Sequence, residues 1–250
     1  MPIDYLRQLS GHERERRANI HLGLSLAFIA GAMNAGGYLA IKQYTSHMSG
    51  IVSSMADALA LADFALAAAA LAAVAAFMLG AATTAIAINW AKRRELRSQY
   101  ALSLLLEAFL LILFGLAGAY LEDVRELLAP ATVLLLCYIM GLQNAIITKI
   151  SGAEIRTTHV TGLCTDIGIE LGKLVYINRH DGPHPAVVSN RTKLRLHATL
   201  LCSFFLGGVI GAIGFKRIGF STAIPLALWL ALMAMVPIID DIRQRLGEAD

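Results

Sequence analysis

Six long apolar runs limit what this chain can fold into. At about 20–41, 64–90, 100–120, 131–149, 196–215 and 219–239, the sequence approaches or exceeds the ~20 residues that a helix needs to cross a ~30 Å hydrocarbon core. Lipid satisfies no backbone group, so only helices or closed barrels can span it. The runs are too long and too unalternating for barrel strands. The expected fold is an all-α membrane protein of six transmembrane helices. Charged residues make up only 16% of the chain, against ~25% in soluble domains.

The net charge of +3 is explained by topology. Cytoplasmic loops collect Lys and Arg. With the N-terminus inside, six spans place 17 of the 21 basic residues on the cytoplasmic side, among them the "KRRELR" loop at 92–97. Both termini are therefore expected in the cytoplasm, and the protein in a bacterial inner membrane. No basic face of a soluble domain is present, so nucleic acid is not an expected partner. Cys137, Cys164 and Cys202 are scattered through apolar stretches and form neither a disulfide framework nor a zinc spacing. The first apolar run is too long for a signal-peptide core and is read as a retained span.

Two polar phrases interrupt this pattern. "YTSHMSG" at 44–50 is echoed by "RTTHVTG" at 156–162. The echo belongs to an internal repeat. Gly31-x-x-Asn34-Ala35 matches Gly141-x-x-Asn144-Ala145, and Ser46-His47-x-Ser49-Gly50 matches Thr158-His159-x-Thr161-Gly162. Asp57 and Asp166 follow at slightly different distances, and "LGAATTAIA" (79–87) resembles "LGGVIGAIG" (206–214). Repeat 1 covers 20–120 and repeat 2 covers 130–239, between tails at 1–19 and 240–250. After each phrase comes a short apolar piece, 51–62 or 163–177, which suits a re-entrant half-helix better than a span. Three crossings per half make the repeat inverted, about an axis in the membrane plane. The 178–195 loop, with Gly182, Pro183 and Pro185, is expected to be non-helical.

Non-helical polar backbone at membrane depth is tolerated only where it is buried in protein or lines a wet cavity. Gly50 and Gly162 are expected to allow close approach and unusual backbone angles. Ser49 and Thr161 are expected to cap the half-helices. The free N–H groups and positive dipole ends of those half-helices would then make an anion site.

The phrase Arg156-Thr157-Thr158-His159-Val160-Thr161-Gly162, with "QNA" at 143–145 in the fourth run, resembles the YoaK-like family of bacterial inner-membrane proteins, a domain-of-unknown-function family. The resemblance extends over about 20–240. Its members usually show Met-Thr-Gly-Asn in the first half, where this chain has Met48-Ser49-Gly50-Ile51. They often carry Asp at the place of Asn34. The resemblance implies the membrane and the fold and supplies no substrate.

The candidate binding residues are His47, Ser49, Gly50, His159, Thr161 and Gly162, with Asn34 and Asn144 orienting the ligand. His titrates near neutral pH, and Asn inside a span otherwise serves as interhelical glue. Asp57, Asp166 and Glu107 are candidates for proton coupling, because an acid in a membrane bundle must face water or a partner. Lys149 and Arg156 border the cytoplasmic mouth. Gly207, Gly208, Gly211 and Gly214 in the fifth run form a small-residue face for close packing, within the monomer or across a homodimer. A metal set of His47, His159, Asp57 and Asp166 lacks any supporting spacing, and no nucleophile elbow appears. Neither metal, cofactor nor catalytic residue is expected. The first expectation is a small secondary transporter or permease for a small solute, with anions favoured. The alternatives are an intramembrane enzyme using His and Asp as acid and base, and a non-catalytic membrane assembly partner.

Overall fold

A computed structural model describes residues 16–41, 44–96, 98–120, 125–178 and 185–247. The tail before residue 16, Arg97, residues 179–184 of the polar loop and the last three residues lie outside it. The described residues form eight α-helices and no strand: α1 (Arg16–Ile41), α2 (Met48–Ala60), α3 (Phe64–Arg93), α4 (Ala101–Tyr120), α5 (Arg125–Ser151), α6 (Val160–Val175), α7 (Arg191–Ile218) and α8 (Ala223–Gly247). A 3-10 turn, Gly219–Thr222, joins α7 to α8. Four stretches are long and apolar enough to cross a membrane: Arg16–Tyr38, Phe64–Arg93, Ala129–Ser151 and Arg191–Gln244. The last contains both α7 and α8. A shorter apolar helix runs over Ala101–Leu116.

Helix starts follow local chemistry. Asp63 Oδ1 accepts from Leu66 N at 3.0 Å and opens α3, and Asn190 Oδ1 accepts from Lys193 N at 3.0 Å and opens α7. Each side chain satisfies one of the amides that a helix N-terminus leaves unpaired. The two caps lie 127 residues apart, the same offset that relates "LGAATTAIA" to "LGGVIGAIG". Helix α7 begins at Arg191, inside the stretch expected to be loop, because the Asn190 cap lies beyond the last proline, Pro185.

The tightest packing rests on small residues. Helices α1 and α7 run parallel, with Phe28 against Gly207, Ala32 against Gly211 and Gly36 against Phe215. Contacts four residues apart on each helix are ridge-into-groove packing, and glycine lets the backbones approach. Helices α3 and α5 repeat the arrangement. A β-carbon on Gly31 would strike the Phe204 carbonyl, and one on Gly141 would strike the Phe77 carbonyl. Gly207 lies against the Phe28 carbonyl, and Gly80 against that of Tyr138. The glycine face of α7 is thus filled by the chain's own α1, and Gly214 meets the Thr222 side chain.

Helices α1 and α5 cross antiparallel in the middle. Gln143 Nε2 donates to the Leu26 carbonyl at 3.0 Å, and Gly23 packs near Ile147. Helices α4 and α8 pair antiparallel, with Gly115 beside Ile224 and Asp241 accepting from Ser98 N at 2.9 Å. One continuous apolar core, including Leu26, Met33, Leu104, Met140, Leu200 and Leu230, joins these pairs.

Candidate functional site

The two polar phrases fold back alongside the helices that precede them. Helix α1 runs on to Ile41, yet the Ser46 hydroxyl donates to Asn34 Oδ1 at 2.9 Å, and Ser46 N reaches the same oxygen at 3.3 Å. Asn34 lies seven residues before the end of α1, about 10 Å deep at the α-helical rise. Helix α5 runs on to Ser151, and the Thr158 hydroxyl donates to Asn144 Oδ1 at 2.7 Å, again seven residues deep. Asn144 Nδ2 donates to the Met140 carbonyl at 2.8 Å, which fixes the orientation of the amide. Each asparagine therefore holds a chain reversal inside the bundle.

The short helices that follow the reversals, α2 and α6, begin earlier than the sequence implied, at 48 and 160, and end at 60 and 175. Their N-cap positions are His47 and His159, and neither side chain makes a capping hydrogen bond. Ser49 and Thr161 lie within the first turn, so the expected caps are corrected. The hydroxyls that hold the reversals are those of Ser46 and Thr158. The helical ladders start at Ile51 N to His47 O (3.1 Å) and Leu163 N to His159 O (3.0 Å). The amides of Ser49, Gly50, Thr161 and Gly162 stand outside those ladders. Gly50 and Gly162 are helical, and neither has a positive φ. Their role is steric, since a β-carbon at either would overlap the ring of His47 or His159.

One cavity of about 680 Å³ lies between the two reversals. Its walls come in pairs: Asn34 and Asn144, Ser46 and Thr158, His47 and His159, Met48 and Val160, Ser49 and Thr161, Phe77 and Phe204. Tyr44 and Arg156, 112 residues apart, also face it, as does Thr148. Arg156 Nη1 stands 3.4 Å from His159 Nδ1. At the other end the Tyr44 and Tyr38 rings stack with centroids 4.6 Å apart. The site thus offers hydrogen-bonding amides and hydroxyls, two imidazoles and one guanidinium, with aromatic walls. Gly50 and Lys149 do not line it; Lys149 lies exposed in the last turn of α5.

The three acids lie elsewhere. Asp57 is exposed on α2. Glu107 is fully buried in α4, and neither carboxyl oxygen has a hydrogen-bond partner among the described residues. Asp166 lines a second cavity, of about 750 Å³, at the α6–α7 end of the molecule. There it accepts from Lys193 Nζ at 3.1 Å and stands 3.5 Å from His197 Nδ1. Arg156, His159 and Thr161 are walls of both cavities, and Gly162 lines the second. Asp57 and Asp166 are not equivalent positions. Ile51 and Leu163, both buried, fix the register at 112 residues, which matches Asp166 to Ser54.

Below this cavity, Glu170 fastens α6 to the chain before α7. Its carboxylate accepts from Lys173 Nζ at 2.8 Å, from Asn190 N at 2.6 Å and from Ser189 Oγ at 3.2 Å. The Lys173 hydrogen bond first, then the Asn190 amide, hold its pKa below the ordinary 4.5. Among the described residues, no three His, Cys, Asp or Glu side chains lie close enough to hold a metal ion.

Sequence reasoning missed several of these residues. Phe77 and Phe204 were within reach, because the match at 79 and 206 extends back to "FML" and "FFL". Lys193, His197 and Glu170 have no counterpart in the first half, so the repeat could not mark them.

The profile of a family described as "Protein of unknown function (DUF1275)" matches residues 22–236. No curated protein and no solved structure matches the chain.

Proposed function

The chain belongs to the DUF1275 family of proteins of unknown function, so its activity has to be read from its own cavity, and we propose that it is a small membrane permease built as two inverted repeats. Helices α1, α3 and α4 form one three-span half and α5, α7 and α8 the other, with α2 and α6 as re-entrant half-helices. The support is the set of equivalent contacts at fixed offsets and the antiparallel crossing of α1 with α5. Both termini then face the cytoplasm of an inner membrane, which agrees with the distribution of Lys and Arg.

The observation that carries the reading is the single cavity lined by matched residues from both reversals. Broken helices that meet at a repeat interface are where secondary transporters bind their solutes. A small solute, with anions favoured, would bind between His47 and His159. Asn34, Asn144, Ser49 and Thr161 would orient it beside the free first-turn amides. Alternating access would rock one half against the other. Of the three acids, Asp166 is the one we propose for proton coupling, and the support is that its cavity shares Arg156, His159 and Thr161 with the central one. Asp57 and Glu107 would couple only through a change of state.

Uptake by reconstituted vesicles tests the proposal with a panel of small anions and neutral solutes under proton and sodium gradients. Flux that falls in His159→Ala and His47→Ala supports it. No wild-type flux under any gradient overturns it.

A further inference from the structure

We propose that the groove between α2, α3 and α5 is a lipid-binding site, which holds one acyl chain of a phospholipid and favours an ammonium headgroup at its mouth. The site needs only helices that lie in a bilayer, so it stands apart from the permease reading.

The groove has a volume of about 460 Å³, and its walls include Ile51 on α2, Leu66 and Ala70 on α3, and Val133 and Leu134 on α5. Ser54 is the one polar side chain among the described residues that line it. Apolar walls with a single polar group are ordinary for a ligand pocket of this size. Ile51 and Ala70 also join Ala73 and Cys137 in a small buried core, which gives the groove a packed floor. The walls run along 66–72 of α3 and 129–134 of α5. Six residues of α3 rise about 9 Å, more than half of the ~15 Å that one leaflet contributes to the hydrocarbon core.

The position of the groove selects its occupant. Its walls belong to Phe64–Arg93 and Ala129–Ser151, two of the stretches long and apolar enough to cross a membrane. Of the four such stretches Phe64–Arg93 is the least enclosed, 22% buried against 44% or more in the others. Leu66 and Pro130 stand exposed at the rim, so the groove opens where lipid chains are the solvent. Water needs several polar partners and finds only Ser54. A helix of a second copy is about 10 Å across with its side chains, too wide to enter. A vacant slot forfeits the dispersion contacts of its lining, and a single acyl chain restores them.

The mouth selects the headgroup. It lies where α2 ends and α3 begins. Asp57 is one turn beyond Ser54 on α2, and Asp63 is one turn before Leu66, whose amide it caps at 3.0 Å. Both acids are exposed. Arg125 and Glu126, which open α5, add no net charge in the sequence. Two carboxylates beside an apolar slot attract an ammonium and repel the carboxylate of a free fatty acid. The Ser54 hydroxyl can donate to an ester carbonyl of the same lipid.

Photolabelling tests the site. The full-length protein is reconstituted in vesicles of phosphatidylethanolamine and phosphatidylglycerol in equal parts. A trace of either lipid with a diazirine on one acyl chain is added, and the labelled peptides are mapped by mass spectrometry. Met78 and Leu79, exposed further along α3, report ordinary contact with the bilayer. The ethanolamine probe should label 66–72 and 129–134 about fivefold more than Met78 and Leu79, and about fivefold more than the glycerol probe labels the same groove. Ala70→Phe should abolish the excess in the groove and leave Met78 and Leu79 unchanged. If Ala70→Phe fails to fold, Ala69→Phe, at a more exposed wall position, decides. Asp57→Asn with Asp63→Asn, which keeps a capping oxygen, should remove the headgroup preference and leave the chain labelling. Equal labelling of the groove and of Met78 and Leu79 overturns the proposal, as does an excess that persists in the phenylalanine variant. An unlabelled groove with a disulfide between copies at Leu66→Cys assigns it to a second copy and overturns it too. Equal labelling by the two headgroups, or a preference kept in the double asparagine variant, overturns the assignment of the headgroup.

Discussion

The Thr158 hydroxyl donates to Asn144 Oδ1 at 2.7 Å, and Ser46 makes the same bond to Asn34 at 2.9 Å. Each bond holds a chain reversal against the helix it has just left, so each asparagine sets the start of the half-helix that follows. Replacing Asn144 with Ala removes the acceptor and leaves the Thr158 hydroxyl without its partner. We expect a loss of about 1 kcal/mol, the usual worth of a polar contact between membrane helices, read as a lower unfolding midpoint in detergent. Asn34→Ala should lose a similar amount. Solute uptake should fall more than stability in both, because the half-helix ends line the cavity.

Gly31 and Gly141 have no room for a side chain, since each lies against a main-chain carbonyl of the helix beside it. Gly31→Val and Gly141→Val should each destabilise by about 3 kcal/mol or more, as overpacking against rigid backbone does. Gly168 and Gly172 on α6 face open space. Gly168→Ala should be neutral or stabilising by up to about 1 kcal/mol through helix propensity. Thermal unfolding of the three variants side by side checks the contrast. A tolerated Gly141→Val would contradict the close α3–α5 packing.

The apolar runs and the repeat were legible because they are local or periodic. "NA" after Gly-x-x, and the hydroxyl-His-x-hydroxyl-Gly phrase, recur at nearly constant offsets, and the structure places both copies around one cavity. The start of α2 was not legible. Ser46, His47 and Ser49 compete as caps, and only the Asn34 contact, twelve residues back, decides between reversal and cap. The pairing of Asp57 with Asp166 failed because residue type was aligned, whereas Ile51 and Leu163, packed into the core, set the true register. Contacts such as Arg16 to Glu154 and Gln143 to Leu26 join residues more than a hundred positions apart. No local pattern encodes them.

Glu170 makes the attachment of α6 to residues 189–190 depend on acidity. Its pKa in the folded protein is below 4.5, so its stabilisation is fully present above the unfolded value and is lost as pH falls through the folded one. The clamp should be unchanged from neutral pH down to about pH 4.5, the reference value, and should weaken below it. Hydrogen exchange at the Asn190 amide between pH 7 and pH 3, corrected for the intrinsic rate, reads this directly. Glu170→Gln should show weaker protection of that amide throughout and no such acid transition.

The proposed inversion of the two halves makes a prediction about sidedness. Cys164 lies exposed in the first turns of α6, and the equivalent position on α2 is Val52, also exposed. If the halves are antiparallel, these two positions open toward opposite sides of the membrane. Cys137 is buried and should not react, and Cys202 is replaced by Ala to remove the other exposed thiol. A membrane-impermeant maleimide added to intact cells should label Val52→Cys in a Cys164→Ala background. Native Cys164 should react only after the cells are opened. Both positions are exposed on the surface of their helices, so labelling of each after the cells are opened is the control, and a difference in intact cells reports access. Labelling of both from the same side would make the halves parallel, and a cavity shared by two inverted half-helices would then have no basis.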